Sequence, residues 1–597
     1  MLTRSTSVVS RLTALLLALA LLAAACGGGS DDGGSADTAD DTAAEVDTGS
    51  SESSDDADDS DDGDDAMADD EPAEDTADTV EVIEEDTSDD PVSGGTLRYI
   101  IEADVDGINP VSSALSSPGL MMANAVFDTL AAMDVDDNWH PYLAESFTPN
   151  DDFTSWTVKL REGIEFHDGT PLNSEALRIN FETVIADPLV GLAVAPFFPK
   201  VEDGALEIVD DLTVVYNLLD PNANFPTSLT GQLGYVASPA WLEAALEDAT
   251  LNQAPVGTGP FVFDGRSEDS VTRFVRNENW WNGAAYLDAL EFVPVTDPNT
   301  RNDLFFQGEV QALQTTTQEN ILDLRETEGV QNVLDDSSEE FFIMMNASKP
   351  PFDDIRARQA LTFATPRQNF LDLIALGLSQ PADQMFTPSS PYYVEGVVQE
   401  ADNPEAATPL VAEFCAEVAD QCTDGKIDME LQWSGPSVIQ TRIAELLDQG
   451  WSDHFNVTFQ EIPQDAHIQE VAFGLYDVVT WRQFGAINPA DDRVWLICKT
   501  IGGLSLNWPR YCDAERDEII AQLDLATTIE ERQPLLEELV RKMNEDYLYI
   551  FMNHTLWDNA FAENVRGVCG HTPPDSDAVL RCSTNGRTWH SNVWLAE

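Results

Sequence analysis

Hydrophobic and polar positions divide the chain into three stretches. The first, MLTRSTSVVSRLTALLLALALLAAACGGGS, sets Arg4 and Arg11 ahead of an uncharged, mostly apolar run of 14 residues from Leu12 to Ala25. That run is short of the ~20 residues a membrane-spanning helix needs and suits the apolar core of a signal peptide. The second, residues 30–92, has no apolar period at all. The third opens at Gly94-Gly95 and carries the patterns of a folded body. Thr96–Ile101 reads as a buried strand, Asp106–Pro110 as a turn, and Met121–Leu130 as a helix. Trp156–Arg161, Leu212–Leu218 and Val271–Arg276 alternate in and out as strands do.

Farther along, helical and strand patterns take turns. Asp354–Ala364 is amphipathic, and Ile439–Leu447 puts Ile439, Ile443, Leu446 and Leu447 on one helical face. Leu431–Trp433 ends a strand ahead of Ser434-Gly435-Pro436, and Val457–Ile462 is another. Thr528-x-x-Glu531 is a capping box that opens a helix running to about Glu545. Strands alternating with helices predict an α/β fold with a largely parallel sheet.

Charge then narrows the partners. The 597 residues include 109 Asp or Glu and 29 Lys or Arg, a net charge of -80. Phosphate binding needs clustered Lys and Arg, so nucleic acid is excluded as a partner. An anionic membrane surface has no electrostatic hold on such a chain either. Residues 30–92 hold 28 of the acidic side chains and no Lys or Arg. Self-repulsion and the lack of apolar area predict an extended, disordered linker there, without the Asp/Gly spacing of a calcium loop. A net charge of -54 remains on residues 91–597, as on a surface built to stay hydrated in high or variable salt. The 13 Trp, 27 Phe and 11 Tyr require a core.

Seven cysteines are present. Ala23, Ala24 and Ala25 lead directly into Cys26, which resembles the lipobox of bacterial lipoproteins, although Ala23 stands where a large aliphatic residue is usual. The resemblance implies a signal peptide at 1–25, lipidation at Cys26, and an acidic tether over 26–93. The other six, Cys415, Cys422, Cys498, Cys512, Cys569 and Cys582, allow 15 connectivities. They fall into close pairs separated by 7, 14 and 13 residues, and local disulfides are the reading favoured in an exported protein. Zinc is the alternative, but there is no C-x-x-C and no His at ligand spacing.

Four segments together resemble family 5 of the solute-binding proteins of ABC importers, the oligopeptide-, dipeptide- and nickel-binding group. They are Trp156–Pro171 with its Phe166-His167-Asp168-Gly169-Thr170, Gly257-Thr258-Gly259-Pro260-Phe261, Asn277–Trp281, and Phe352–Leu361. At Ala364-Thr365-Pro366-Arg367 the family's usual Asp before the Arg is missing, and Pro366 should end that helix early. The resemblance implies an α/β, two-lobed periplasmic-binding-protein fold of type II with a small domain inserted in the first lobe. Lobe I would be 94–335 plus 558–597, the insertion 139–255, and lobe II 336–557. It implies a lipid-anchored monomer at the outer face of the bacterial cytoplasmic membrane. Such a protein captures an oligopeptide or peptide-like solute by hinge closure and delivers it to permease subunits, with no cofactor. A sensor handing its liganded form to a receptor would use the same fold.

An exported hydrolase is the reading from another class, and it lacks support: there is no G-x-S-x-G, H-E-x-x-H or P-loop. His167 belongs to the signature and reads as structural. The GxG at Gly257 has no third Gly and no following Lys-Ser/Thr, so it is no nucleotide loop. The seven His are scattered, which leaves no metal site to read. Ligand determinants are sought in Tyr476–Pro489. Peptide-binding relatives carry there a carboxylate for the peptide's α-amino group, and its place falls here on Gly485 or Ala486. A free amino terminus is therefore disfavoured unless Asp491 or Asp492 substitutes. Trp481, Arg482 and Phe484 are the candidates in this segment, since aromatic faces suit sugars, rings or apolar side chains and Arg suits a carboxylate or phosphate. Trp433 and, on the first-lobe helix, Met121 with Met122 are further cleft candidates. The ligand is read as an oligopeptide or peptide-like solute, with an oligosaccharide or other small organic molecule as the alternative.

The residual -54 has a measurable consequence. Screening reaches about 30 Å at 0.01 M salt and about 10 Å at 0.1 M. The melting temperature should rise between those two salt concentrations; a flat curve would mean that the charges are already paired or too dispersed to repel.

Overall fold

Alternation along Ser155–Leu160 sends Trp156, Val158 and Leu160 into a core and leaves Lys159 in water. The strand can do this because helix packs on only one side of its sheet. The computed structural model describes residues 90–596 apart from 114, 338 and 484–491. The signal run, Cys26, the acidic stretch, Phe484, Gly485, Ala486 and Asp491 lie outside the described residues.

Three sheets organise the body. The first has seven strands, in the order Val330–Asp335, Trp557–Ala562, Ala312–Thr315, Thr96–Ile101, Ala289–Pro294, Val271–Arg276 and Phe261–Ser267. Thr96–Ile101 lies at its centre, parallel to the strands on both sides, and the outer pairs are antiparallel. The second sheet has six strands. Lys426–Gly435 is parallel to both Phe455–Pro463 and Val478–Gln483, and Glu340–Met345 is antiparallel to Val478–Gln483 and Tyr549–His554. The third is a four-stranded antiparallel sheet built from Ala144–Pro149, Ser155–Leu160, Thr213–Asn217 and Leu206–Asp210. The sheets are thus mixed, not largely parallel. Helical crossovers make the parallel pairs, and short connections such as Phe261–Ser267 into Val271–Arg276 fold back as antiparallel ones.

The chain passes between the two large sheets twice. Val330–Asp335 belongs to the first sheet and Glu340–Met345 to the second. Tyr549–His554 belongs to the second and Trp557–Ala562 to the first. The second sheet's core is closed by Ile355–Ala364, Pro404–Glu417 and Val438–Trp451, whose Leu361, Val411 and Leu447 meet Ile343 and Met345.

Helix limits follow capping chemistry. Asp354 caps Ile355–Ala364 by accepting from Arg356 N, and Ser437 caps Val438–Trp451 by accepting from Gln440 N. Thr528 caps Ile529–Asp546 by accepting from Glu531 N, while the Glu531 carboxylate accepts from Thr527 N at 2.9 Å. Thr365 and Pro366 end the helix at Ala364, and a new one starts at Arg367. The first-lobe helix covers Ser117–Val126, not Met121–Leu130. Pro118 suits its first turn, and after Val126 the chain turns extended at Phe127. Cys415–Cys422, Cys498–Cys512 and Cys569–Cys582 are bonded, with Cα–Cα separations of 5.7, 4.7 and 4.8 Å.

Three of the four signature segments converge on one place, while Phe352–Leu361 packs in the second sheet's core. Gly259 N donates to Val126 O at 3.0 Å, and His167 N donates to Gly257 O at 2.9 Å. His167 Nε2 pairs with Gly259 O at 2.9 Å, and Asn277 Nδ2 donates to the same carbonyl at 3.1 Å. Asp128 accepts from Thr258, Trp280 and Trp281 at 2.9, 3.2 and 2.8 Å. Burial pushes its carboxyl up to about 6, against the pull of those three donors. His167 is therefore a fixed strut of the scaffold.

A Cβ on Gly257 would sit 2.1 Å from Val126 O, a backbone atom that cannot swing aside. Gly257→Ala should therefore lower stability by about 1–3 kcal/mol or more, as overpacking does. Urea unfolding measures it, and a change below a few tenths would show that the crossing is loose.

Candidate functional site

Strands of the two large sheets bring polar side chains together at the two passages. Glu102 follows Thr96–Ile101 and Thr316 follows Ala312–Thr315, both at the carboxyl ends of parallel strands, where open α/β sheets hold ligands. Arg482, near the end of Val478–Gln483 in the other sheet, reaches them. Its Nη2 donates to Glu102 Oε1 at 3.2 Å, its Nη1 to Thr316 Oγ1 at 3.3 Å, and its Nε lies 3.7 Å from Glu339 Oε2. The guanidinium stacks over Trp557 at 4.9 Å, and Trp557 Nε1 donates to Glu339 Oε2 at 3.2 Å. Burial works against the charge on Arg482, but Glu339 and Glu102 more than offset it and keep it protonated. Burial raises the Glu339 carboxyl, against the pull of Arg482. The neighbouring Glu340 is also pushed up by burial, with Asp492 and Glu339 adding to it. It pairs with His554 Nδ1 at 3.0 Å, and burial drives that imidazole down to about 3.

Beside this cluster is a cavity of about 640 Å³. One wall comes from the third sheet and its helices: Phe181, Val184, Phe197, Phe198, Tyr216 and Phe225. The facing wall is Thr480, Trp481, Arg482 and Gln483, with Trp495 and Trp508 beside them. Glu339, Trp557 and Asp492 line it as well. Away from the passages, a second seam joins the two walls. Ala223 N donates to Asp524 O at 2.8 Å, Arg532 Nη2 to Asn224 Oδ1 at 2.5 Å, and Arg493 bonds Asp524 at 2.8 Å while lying 4.1 Å over Phe197.

The residues singled out from the sequence part company here. Trp481 is half-buried on the cavity wall, its Nε1 donating to Gln483 Oε1 at 3.2 Å. Arg482 lines the cavity while bound into the carboxylate cluster. Phe484 lies outside the described residues. Trp433 is only 4% exposed and packs edge-on to Phe459 at 5.6 Å inside the second sheet's core; its neighbour Ser434 takes the cavity-facing side of the strand. Met121 is fully buried, and its Sδ accepts from Thr588 N at 3.5 Å; Ser116, Ser117 and Leu120 line the cavity in its place. Met122 is buried as well. Trp433 and Met121 are thus core residues, turned inward by strand and helix periodicity. Sequence reading missed His467, Gln483, Trp495, Trp508, Trp557 and the aromatic wall from Phe181 to Phe225. Only Gln483 had a local signal, two places from Trp481 on the same face of a strand. Among the described residues, no group of three or more His, Cys, Asp or Glu is placed to hold a metal.

Comparison with known proteins agrees with this architecture. The family described as "Bacterial extracellular solute-binding proteins, family 5 Middle" matches residues 138–503. The chain belongs to the family 5 solute-binding proteins. Di/tripeptide-binding protein 2 of Pseudomonas aeruginosa (strain UCBPP-PA14) is 23% identical over 496 residues, 79% of this chain and 92% of that one. Glutathione-binding protein GsiB of Escherichia coli (strain K12) is 30% identical over 272 residues, 45% of this chain and 52% of its own. The structure of the periplasmic binding protein DppA from Helicobacter pylori, in complex with the peptide STSA, superposes with a TM-score of 0.73 at 16% identity. It covers 85% of this chain and 99% of DppA, and shows the fold to be the mixed α/β fold of the periplasmic binding proteins.

In this solute-binding protein the two passages are where lobes of such a fold would hinge, and Arg482 is the charge that ties them together. Arg482→Met removes the partner of two half-buried carboxylates. Denaturant unfolding should show a loss of about 1–3 kcal/mol, as for hydrogen bonds to charged groups at half-buried sites, with part restored by adding Glu339→Gln. Unchanged stability would make Arg482 a ligand contact alone.

Proposed function

We propose that this protein captures a short peptide between two lobes and delivers it to the permease of an ABC importer, held at the membrane through a lipid on Cys26. The lobes are 94–335 with 558–597, and 336–557, with 139–255 inserted in the first. The observation that carries this reading is the cavity between walls that lie on either side of the two chain passages and are tied also by the polar seam at Asn224 and by Arg442 with Glu319 at 3.3 Å. Hinge closure around a solute needs that plan, because contacts to both walls favour the closed state.

The chemistry of the lining supports a peptide. A volume of about 640 Å³ falls within the ~300–1,000 Å³ of small-molecule sites and suits a few residues, not a long chain. Glu339 and Asp492 bring carboxylates to the lining. We assign to Asp492 the role of the carboxylate missing at Gly485 and Ala486, that of pairing with a free α-ammonium. Arg482 and Arg493 line the cavity too, each already paired, with Glu102 and Glu339 and with Asp524. The aromatic wall accepts apolar side chains. The relatives named for di- and tripeptides and for glutathione point the same way.

Calorimetric titration with di- and tripeptides bearing free termini tests the reading. Saturable binding is expected, and Trp481→Ala should weaken it by about 1–3 kcal/mol, the range of an interface anchor. A protein that binds oligosaccharides and none of the peptides overturns it.

A further inference from the structure

The end of the Val478–Gln483 strand has two chemical faces. Alternation turns Arg482 toward the carboxylates of the passages, and Trp481 and Gln483 to the other side. On that side Gln483 Oε1 accepts two indole N–H groups, from Trp481 at 3.2 Å and from Trp508 at 3.2 Å. An indole nitrogen can only donate, so the amide orientation is fixed: oxygen toward the tryptophans, the –NH2 away from them. That –NH2 has no partner among the described residues, and Gln483 lines the cavity.

His467 lies beside it. Its ring is edge-on to Trp481 at 5.4 Å, it is 2% exposed, and it lines the same cavity. Neither ring nitrogen has a hydrogen-bond partner among the described residues. Buried polar groups are normally satisfied, and an unsatisfied one costs about 1–3 kcal/mol. Burial holds the imidazole down at about 4, so at neutral pH it is uncharged, with one N–H donor and one acceptor. Trp481, Trp495 and Trp508 frame the patch with flat apolar faces, Trp495 stacking on Trp508 at 5.2 Å.

We propose that His467 and Gln483, framed by these three tryptophans, form a specificity subsite that takes an uncharged side chain able both to donate and to accept hydrogen bonds, a carboxamide above all. The inference rests on the peptide reading of the cavity. A carboxamide is flat enough to lie against the indoles. Its oxygen accepts from Gln483 or His467, and its –NH2 donates to the imidazole acceptor. An alkyl side chain would leave these groups unsatisfied. A carboxylate or ammonium would find no charged partner in His467, Gln483 or the three indoles, and Arg482 is already bound to Glu102 and Glu339.

Two substitutions separate the subsite from mere packing. Gln483→Glu keeps an acceptor for both indoles but loses the donors and adds charge. His467→Phe keeps the ring against Trp481 but loses both nitrogens. Tripeptides of Ala carrying one Gln, Glu, Lys or Leu, scanned through the three positions, are titrated calorimetrically against the wild type and both variants, with melting temperatures to confirm folding. In the wild type, Gln at one position should bind at least tenfold tighter than its isostere Glu and than Leu there. His467→Phe should erase most of the Gln-over-Leu preference while changing affinity for the Leu peptide less than threefold. Gln483→Glu should reverse the preference toward Lys. Equal affinity for Gln, Glu and Leu at every position in the wild type, or equal losses for all peptides in both variants, overturns the subsite and leaves peptide binding intact. Failure of the wild type to bind any of the tripeptides overturns the peptide reading itself, and the subsite with it.

Discussion

A single half-buried guanidinium sets how the two large sheets meet. Arg482 cannot be desolvated without acceptors, and these come from three separate places: Glu102 and Thr316 at strand ends of the first sheet, and Glu339 in the passage between sheets. Losing any of these leaves charge in a poor solvent, so the arrangement is strongly specified even if the ion pairs add little net stability over an apolar contact. Two passages of chain run beside it, and Trp557, on the second passage, covers the guanidinium and fixes Glu339 in the same act. The geometry of both cavity walls follows from where this charge can be satisfied.

The segments that gave the family away do a different job. Trp156–Pro171, Gly257–Phe261 and Asn277–Trp281 are far apart in sequence and meet around Val126, Phe127 and Asp128. Two glycines admit the backbone of Val126, and the two indoles and Thr258 satisfy a buried aspartate. None of these groups touches the facing wall of Trp481 and Gln483. The recognisable motifs are thus scaffold, and the residues that would discriminate among solutes lie elsewhere.

That division explains what was legible. Thr96–Ile101 and Val271–Arg276 are read with their limits because their apolar patterns are unambiguous, and the caps at Asp354 and Thr528 mark helix starts by local chemistry. The wrong span of the first-lobe helix comes from reading Met121–Leu130 as one apolar run, when Phe127 onward is pulled extended by contacts to Gly259 and Trp280 that are distant in sequence. Met121 and Trp433 have the chemistry of ligand contacts and the burial of core, and composition does not tell which way a side chain faces. His467 carried no signal, since a lone histidine on a helix becomes distinctive only when its surroundings leave both nitrogens bare. The aromatic wall from Phe181 to Phe225 reads as ordinary core until the facing wall is known.

An acidic body that closes on itself must also avoid its own repulsion. The second seam shows how. Where the third sheet's domain meets the segment around Asp524, the contacts are hydrogen bonds from Ala223 and Asn224 to backbone carbonyls and a charge-assisted one from Arg532 to the Asn224 amide oxygen. The scarce cations are concentrated beside them: Arg493 between Asp524 and the face of Phe197, Lys499 on Asp220 at 2.6 Å. Asp220 thereby meets Lys499 from the opposite wall, while Asp524 pairs with Arg493 of its own wall, whose guanidinium reaches across to Phe197. The Arg493–Asp524 pair is screened by salt far less than an exposed pair such as Lys499–Asp220.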